Sequence, residues 1–243
     1  MGAVWWILLG VVLFVVIYVI YLFWTSRYLS IKVLDLNTAN TTIASTSIKG
    51  SSNSNYTYSM WVWVNSWNTS VPHCFVYAPP SSLNSTPPTY NNGQPYDFAL
   101  YMDQQSPTLY CTLGSSPGDS SNTVVITNNF PLQTWVYVVV CVQTNVVDCY
   151  LNGKMIVSQQ TNQNSALVTP SYKNLYMGNA PSNNGWDCQM MLFNFQPMVV
   201  TPQQVWSSYL SGNGQSMFSS LSSYGLQMDL TQNNQVTSSY TLF

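Results

Sequence analysis

The sequence predicts an all-β fold, a two-sheet antiparallel jelly-roll sandwich with one short C-terminal helix, preceded by a single transmembrane helix. Three observations predict it. Residues 3–24 carry neither charge nor proline. From residue 56 onward, short segments of period-2 character alternate with turn residues, at the spacing of a sandwich rather than of a parallel α/β sheet. One segment alone, at 201–210, carries helix start and stop signals. The expected divisions are an anchor at 1–26, a juxtamembrane segment at 27–54, the sandwich at 55–212, and a Ser-rich tail at 213–243 that returns one strand.

The anchor follows from length and composition. The 22 residues 3–24 would reach about 33 Å as a helix, enough to cross a ~30 Å hydrocarbon core. Fifteen of them, between Val4 and Phe23, are Leu, Ile, Val or Phe. Together these favour insertion by at most about 5 to 9 kcal/mol. Trp5 and Trp6 at one end, and Trp24 and Tyr28 at the other, form interfacial belts, with Arg27 just beyond. A cleaved signal fits poorly, because the start lacks Lys and Arg and the apolar run is too long. The basic flank of Arg27 and Lys32 places the following domain on the cytosolic side. Sequons at Asn40, Asn55, Asn68 and Asn84 argue for the other side, but a chain this rich in Asn, Ser and Thr produces sequons by chance.

One strand is expected around Ile31 to Leu36. Tyr56 to Asn65 sets Tyr56, Tyr58, Met60, Val62 and Val64 on one face and Thr57, Ser59, Trp61 and Trp63 on the other. Residues 78–95 hold five prolines and read as a long surface loop. Strands follow at Asp97 to Met102, Thr108 to Leu113 and Thr123 to Thr127. Trp135 to Gln143 is nearly all apolar, as a strand covered on both faces would be. Asp148 to Asn152 pairs back on it, the Asn152-Gly153 turn leads to Lys154 to Gln159, and Leu175 to Met177 and Cys188 to Phe195 complete the set. At Thr201-Pro202-Gln203-Gln204 an N-cap Thr, a proline at the first helical position and Gln three residues after the cap make a capping box. Gly212 and Gly214 stop the helix. In the tail, residues 226–230 alternate as a strand, and the last dozen residues read as irregular.

The order of motifs resembles the laminin-G-like, concanavalin A-like lectin/glucanase superfamily. The matching residues are Tyr56-Thr57-Tyr58-Ser59-Met60-Trp61-Val62, Leu132-Gln133-Thr134-Trp135-Val136, Cys149-Tyr150-Leu151-Asn152-Gly153, Leu175-Tyr176-Met177-Gly178, Gln189 to Asn194, and Thr201-Pro202-Gln203-Gln204-Val205. The resemblance covers about residues 55–212 and implies a two-sheet jelly roll. It also implies a choice among sugar-binding, hydrolytic, adhesive and structural roles. The family's acidic helix start is Gln-Gln here.

Composition narrows that choice. Seven acidic residues, all Asp, face five Lys and Arg, and there is no Glu. Such a surface offers no phosphate-neutralising patch, so a nucleic-acid partner is excluded. Glycoside hydrolysis needs two carboxylates about 5 to 9 Å apart. Asp97 and Asp103 bracket a strand at opposite ends, so no catalytic residue is assigned. His73, the single histidine, lies in no catalytic motif. The five cysteines show no CxxC pair and read as buried apolar groups, without a metal site or cofactor. A turn at 144–146 would set Cys141 opposite Cys149, where a cross-strand disulfide is conceivable. A sugar or calcium site could draw on Asp119, Asn183, Asn184, Trp186 and Asp187, which otherwise read as ordinary turn residues. The favoured reading is a membrane-anchored, non-enzymatic structural protein whose partners are the lipid bilayer and other structural or capsid proteins. Its glutamate-poor, amide- and hydroxyl-rich composition is similar to that of jelly-roll structural proteins of large icosahedral DNA viruses. There it would be a minor capsid protein of the virion, between internal membrane and shell. The alternative is a membrane-anchored, lectin-like carbohydrate-binding module.

Overall fold

The computed structural model describes residues 10–18, 29–36, 41–44, 48, 55–79, 96–115, 122–143, 146–161, 174–178, 186–213, 227–232 and 235–241. Two antiparallel six-stranded sheets form the sandwich. The first carries, in spatial order, β1 (Leu29–Asp35), β12 (Cys188–Gln196), β3 (Tyr56–Val64), β8 (Trp135–Val142), β9 (Val146–Leu151) and β10 (Lys154–Gln160). The second carries β2 (Thr41–Ile43), β11 (Leu175–Met177), β4 (His73–Ala78), β5 (Tyr96–Met102), β6 (Leu109–Ser115) and β7 (Thr123–Thr127). The family-level sandwich and its single C-terminal helix, Pro202–Leu210, are as the sequence predicts.

Period-2 alternation decides which residues fill the space between the sheets. Tyr56, Tyr58, Met60, Val62 and Val64 all point into it, together with Val136, Val138, Val140 and Val142 of β8. The opposite face of the same two strands is also covered. Trp61, Tyr137, Val139 and Cys141 join Tyr150, Met191, Val200 and Val205 in a second cluster beneath the helix. Cover on both faces explains why β8 reads as an unbroken apolar run.

Three strands escape the sequence pattern. β4 is buried along its whole length, and a bulge between Cys74 and Val76 interrupts its pairing with β5. It therefore shows no alternation to read. β2 is three residues long. β14 (Gln235–Thr241) lies where an irregular end was expected and pairs with β13 (Gln227–Gln232) as a hairpin of its own. The sandwich also draws on residues before 55. β1 pairs with β12, β2 pairs with β11, and Leu36, Ile43 and Ile48 enter the core.

The Cys141–Cys149 bridge that the sequence made conceivable is corrected. Gln143 and Val146 exchange backbone hydrogen bonds of 2.8 and 3.4 Å, so two residues separate them rather than the three of the expected turn. The register then pairs Cys141 with Asp148 and Cys149 with Val140. A slip of one residue sends a side chain to the other face. Cys149 faces the inter-sheet core and Cys141 the helix, and all five cysteines are buried thiols outside any disulfide.

Near the N-terminus, residues 10–18 are helical, and each side chain from Val11 to Tyr18 is between 49% and 72% exposed. Among the described residues no helix is long and apolar enough to cross a membrane. Trp5, Trp6, Trp24, Arg27 and Tyr28 lie outside the described residues.

Candidate functional site

The C-terminal helix is fastened at both ends and in the middle. Thr201 Oγ1 accepts from Gln204 N at 3.3 Å, and Gln204 Oε1 accepts from Thr201 N at 2.8 Å, closing the expected capping box. Gly212, at φ +75°, ends the helix with its N–H on Tyr209 O. Val205 is its one buried residue, and Tyr209 stacks on Trp61 at 5.7 Å. On the far side the Asn152-Gly153 turn passes beneath it. A Cβ on Gly153 (φ +81°) would stand 2.6 Å from Trp206 Cε3, so this turn and the helix approach as closely as glycine allows.

Held there, the helix overhangs the outer face of the first sheet and leaves a cleft of roughly 630 Å³. Its floor is Thr57 and Ser59 of β3 with Tyr137 and Val139 of β8. Its helix wall includes Gln203, Gln204, Ser207 and Ser208. No charged side chain lines it. The floor is fixed by its own hydrogen bonds. Thr57 Oγ1 donates to Met198 O at 2.8 Å and accepts from Val200 N at 3.3 Å, and the Tyr137 hydroxyl bonds Ser59 and Ser208. Burial raises the Tyr137 pKa, only partly offset by those two serines, so the phenol stays neutral. Opposite Ser59 in the register lies Asn194. Its Oδ1 is buried and has no hydrogen-bond partner.

At one end of the sandwich a second group gathers around His73. Its Nδ1 lies 3.1 Å from Asp103 O and its Nε2 2.9 Å from Asn68 O. Trp67 and Trp186 flank the ring at 4.3 and 5.1 Å. Burial lowers its pKa, against the raising influence of the two carbonyls and Asp103. A ring held this way joins two loops.

Of the residues expected for a sugar or calcium site, only Trp186 and Asp187 are among those described. Asp119, Asn183 and Asn184 lie outside the described residues. Trp186 is 1% exposed and packs on Phe75 at 4.7 Å, so its face is not open to a ligand. This is a correction: a Trp flanked by polar loop residues looks exposed in sequence, yet its ring fills the core. Asp187 Oδ2 accepts from Asn65 Nδ2 at 2.6 Å. Asp103 Oδ1 accepts from the backbone N–H groups of Gln105 and Ser106. Asp97 and Asp103 are separated by six residues of extended chain, roughly 20 Å, beyond the reach of a glycosidase pair. Among the described residues no three of His, Cys, Asp or Glu assemble as metal ligands. The cleft itself was missed in sequence, because Thr57 and Ser59 of its floor are distant in the chain from Gln203 and Ser207 of its wall, and only the packing of the helix on the sheet brings them together.

Residues 36–206 match the Laminin_G_3 family, described as the concanavalin A-like lectin/glucanases superfamily. The chain belongs to this superfamily. No curated protein matches it. Similar solved structures include Trypanosoma rangeli sialidase, at 12% identity and TM-score 0.49 over 67% of this chain and 24% of that one. A second is the binding domain of botulinum neurotoxin DC in complex with rat synaptotagmin II, at 13% identity and TM-score 0.44 over 65% and 35%. A third is the receptor binding domain of botulinum neurotoxin mosaic serotype C/D, at 9% identity and TM-score 0.49 over 66% and 37%. The chain thus spans well under half of the length of each. Within this superfamily a shared sandwich does not carry a shared activity.

Proposed function

We propose that this member of the superfamily is a non-enzymatic structural module tied to a lipid bilayer by its N-terminal segment. The observation that supports the reading is the apolar helical stretch 10–18, whose side chains stand exposed within an uncharged run of 22 residues. The cores elsewhere in the chain are almost fully buried, so this stretch is suited to lipid rather than water. The low-charge, amide- and hydroxyl-rich remainder suits wide hydrogen-bonded contacts with neighbouring proteins. In its fullest form the proposal is a minor capsid component between an internal virion membrane and the shell, with the sandwich facing the cytosol before assembly. Its support is the composition.

Replacing residues 1–26 with a soluble tag tests the tether. The full chain is expected to float with liposomes in a density gradient and the replaced chain to remain at the bottom. Flotation of both would refute the anchor. Immuno-electron microscopy of native particles, showing the protein under the shell or absent from it, decides the capsid part.

A further inference from the structure

We propose that β10 pairs edge to edge with β10 of a second copy of this chain, joining two first sheets into one continuous antiparallel sheet. This goes beyond the tether and does not depend on it.

Strand β10 ends the first sheet, and among the described residues no strand pairs with its outer edge. Such an edge presents a row of backbone N–H and C=O groups that another strand edge matches along its length. A bilayer offers no such row of donors and acceptors. The other three edges of the sandwich are charged or shorter. β1 carries Lys32 and Asp35, β2 has three residues and β7 has five. β10 has seven, without proline, and its one charge is Lys154 at the start. Every side chain along it is exposed or half-buried. Its bulge, between Met155 and Val157, lies towards one end and leaves residues 157–160 in unbroken register with β9.

The exposed apolar surface gathers on the same side. Outside residues 10–18, seven large apolar side chains among the described residues are exposed. Five of them, Val125, Met155, Ile156, Trp206 and Leu210, stand on β10 itself or on β7 and the C-terminal helix, which both touch it. Apolar exposure that gathers in one place marks an interface, whereas scattered exposure does not. The partner is a second copy because the strand complements itself. Antiparallel pairing over residues 154–160 about a two-fold axis puts Val157 on the axis, Ile156 opposite Ser158, and Lys154 opposite Gln160. No like charges then face each other. The net charge of −2 leaves little repulsion between copies.

The test is sedimentation equilibrium of the full chain in a density-matched detergent. A monomer–dimer equilibrium is expected, with a dissociation constant below about 100 μM. Ile156→Lys and Ile156→Asp each set like charges within diagonal reach across the axis, and each should weaken the dimer at least about tenfold. Both should keep the parent's thermal midpoint, because an open edge tolerates charge. Mixed in equal amounts, the two variants should dimerise again, since opposite charges then meet. That rescue requires residue 156 to lie near its own copy, which a merely local role for Ile156 would not produce. Leu132→Lys is the control. Leu132 is also exposed, but it precedes Gln133, which bonds Val64 at the end of β3, three strands from β10. It should leave the equilibrium unchanged. A parent that stays monomeric up to about 100 μM, an Ile156→Lys chain that dimerises like the parent, a mixture that stays monomeric, or a Leu132→Lys chain weakened as much as Ile156→Lys would overturn the pairing. Failure of the tether leaves this readout intact, since it needs no bilayer.

Discussion

His73 sits with a backbone carbonyl at each ring nitrogen. A neutral imidazole has only one N–H, so it can bond only one of them. Burial outweighs this and lowers the pKa. In the unfolded chain the ring takes up its proton near pH 6.5, whereas the folded chain waits for lower pH. Between the two, the unfolded state binds more protons, so stability present above that window is lost as pH falls through it. The midpoint of urea unfolding is expected to drop between about pH 7 and pH 5, and His73→Gln to remove most of that drop. The chain has a single histidine, which keeps the readout clean. A midpoint that instead rises on acidification would mean that Asn68 O and Asp103 O hold an imidazolium. The buried thiols behave in the same sense: burial pushes Cys111 up to about 12 and Cys149 well above its ordinary value, so neither is a ready nucleophile.

At the scale of elements, the hairpin of β8 and β9 shows how one residue of turn length redirects chemistry. With Cys141 beside Asp148 and Cys149 beside Val140, the two thiols lie on opposite faces. Unfolding in urea without reductant, followed by alkylation, should modify all five cysteines by intact mass; two unmodified cysteines would indicate a bridge and a different register. The helix makes an energetic prediction. Thr201 accepts an otherwise orphaned N–H, and Thr201→Ala should cost about 1 kcal/mol in unfolding free energy. An unchanged midpoint would show that Val205 and Tyr209 hold the helix without its cap. The capping box, the Asn-Gly turn and the inward face of β3 were legible because each is set by neighbours within a few residues. β4 was not, because cover on both faces and a bulge erase the period that betrays a strand.

For the whole molecule, the edge strands β1 and β2 tie the segment that precedes residue 55 into both sheets. A chain starting at residue 27 should therefore fold, with a cooperative thermal transition. One starting at residue 55 loses both edges together with core residues Leu36, Ile43 and Ile48, and should aggregate or melt without cooperativity. Equal, cooperative melting of the two would show that β1 and β2 contribute nothing to the sandwich.

Local patterning by itself determined the sandwich class, the inward faces of β3 and β8, the capped helix and the uncharged N-terminal run, because alternation, turn chemistry and capping act between residues close in the chain. Only the tertiary structure decided that Cys141 and Cys149 part, that Trp186 belongs to the core, and that Ser59, Tyr137 and Ser208 meet beneath a helix. Those outcomes depend on register and on what covers each face: the cysteines on the register of one hairpin, the other two on contacts between segments more than a hundred residues apart.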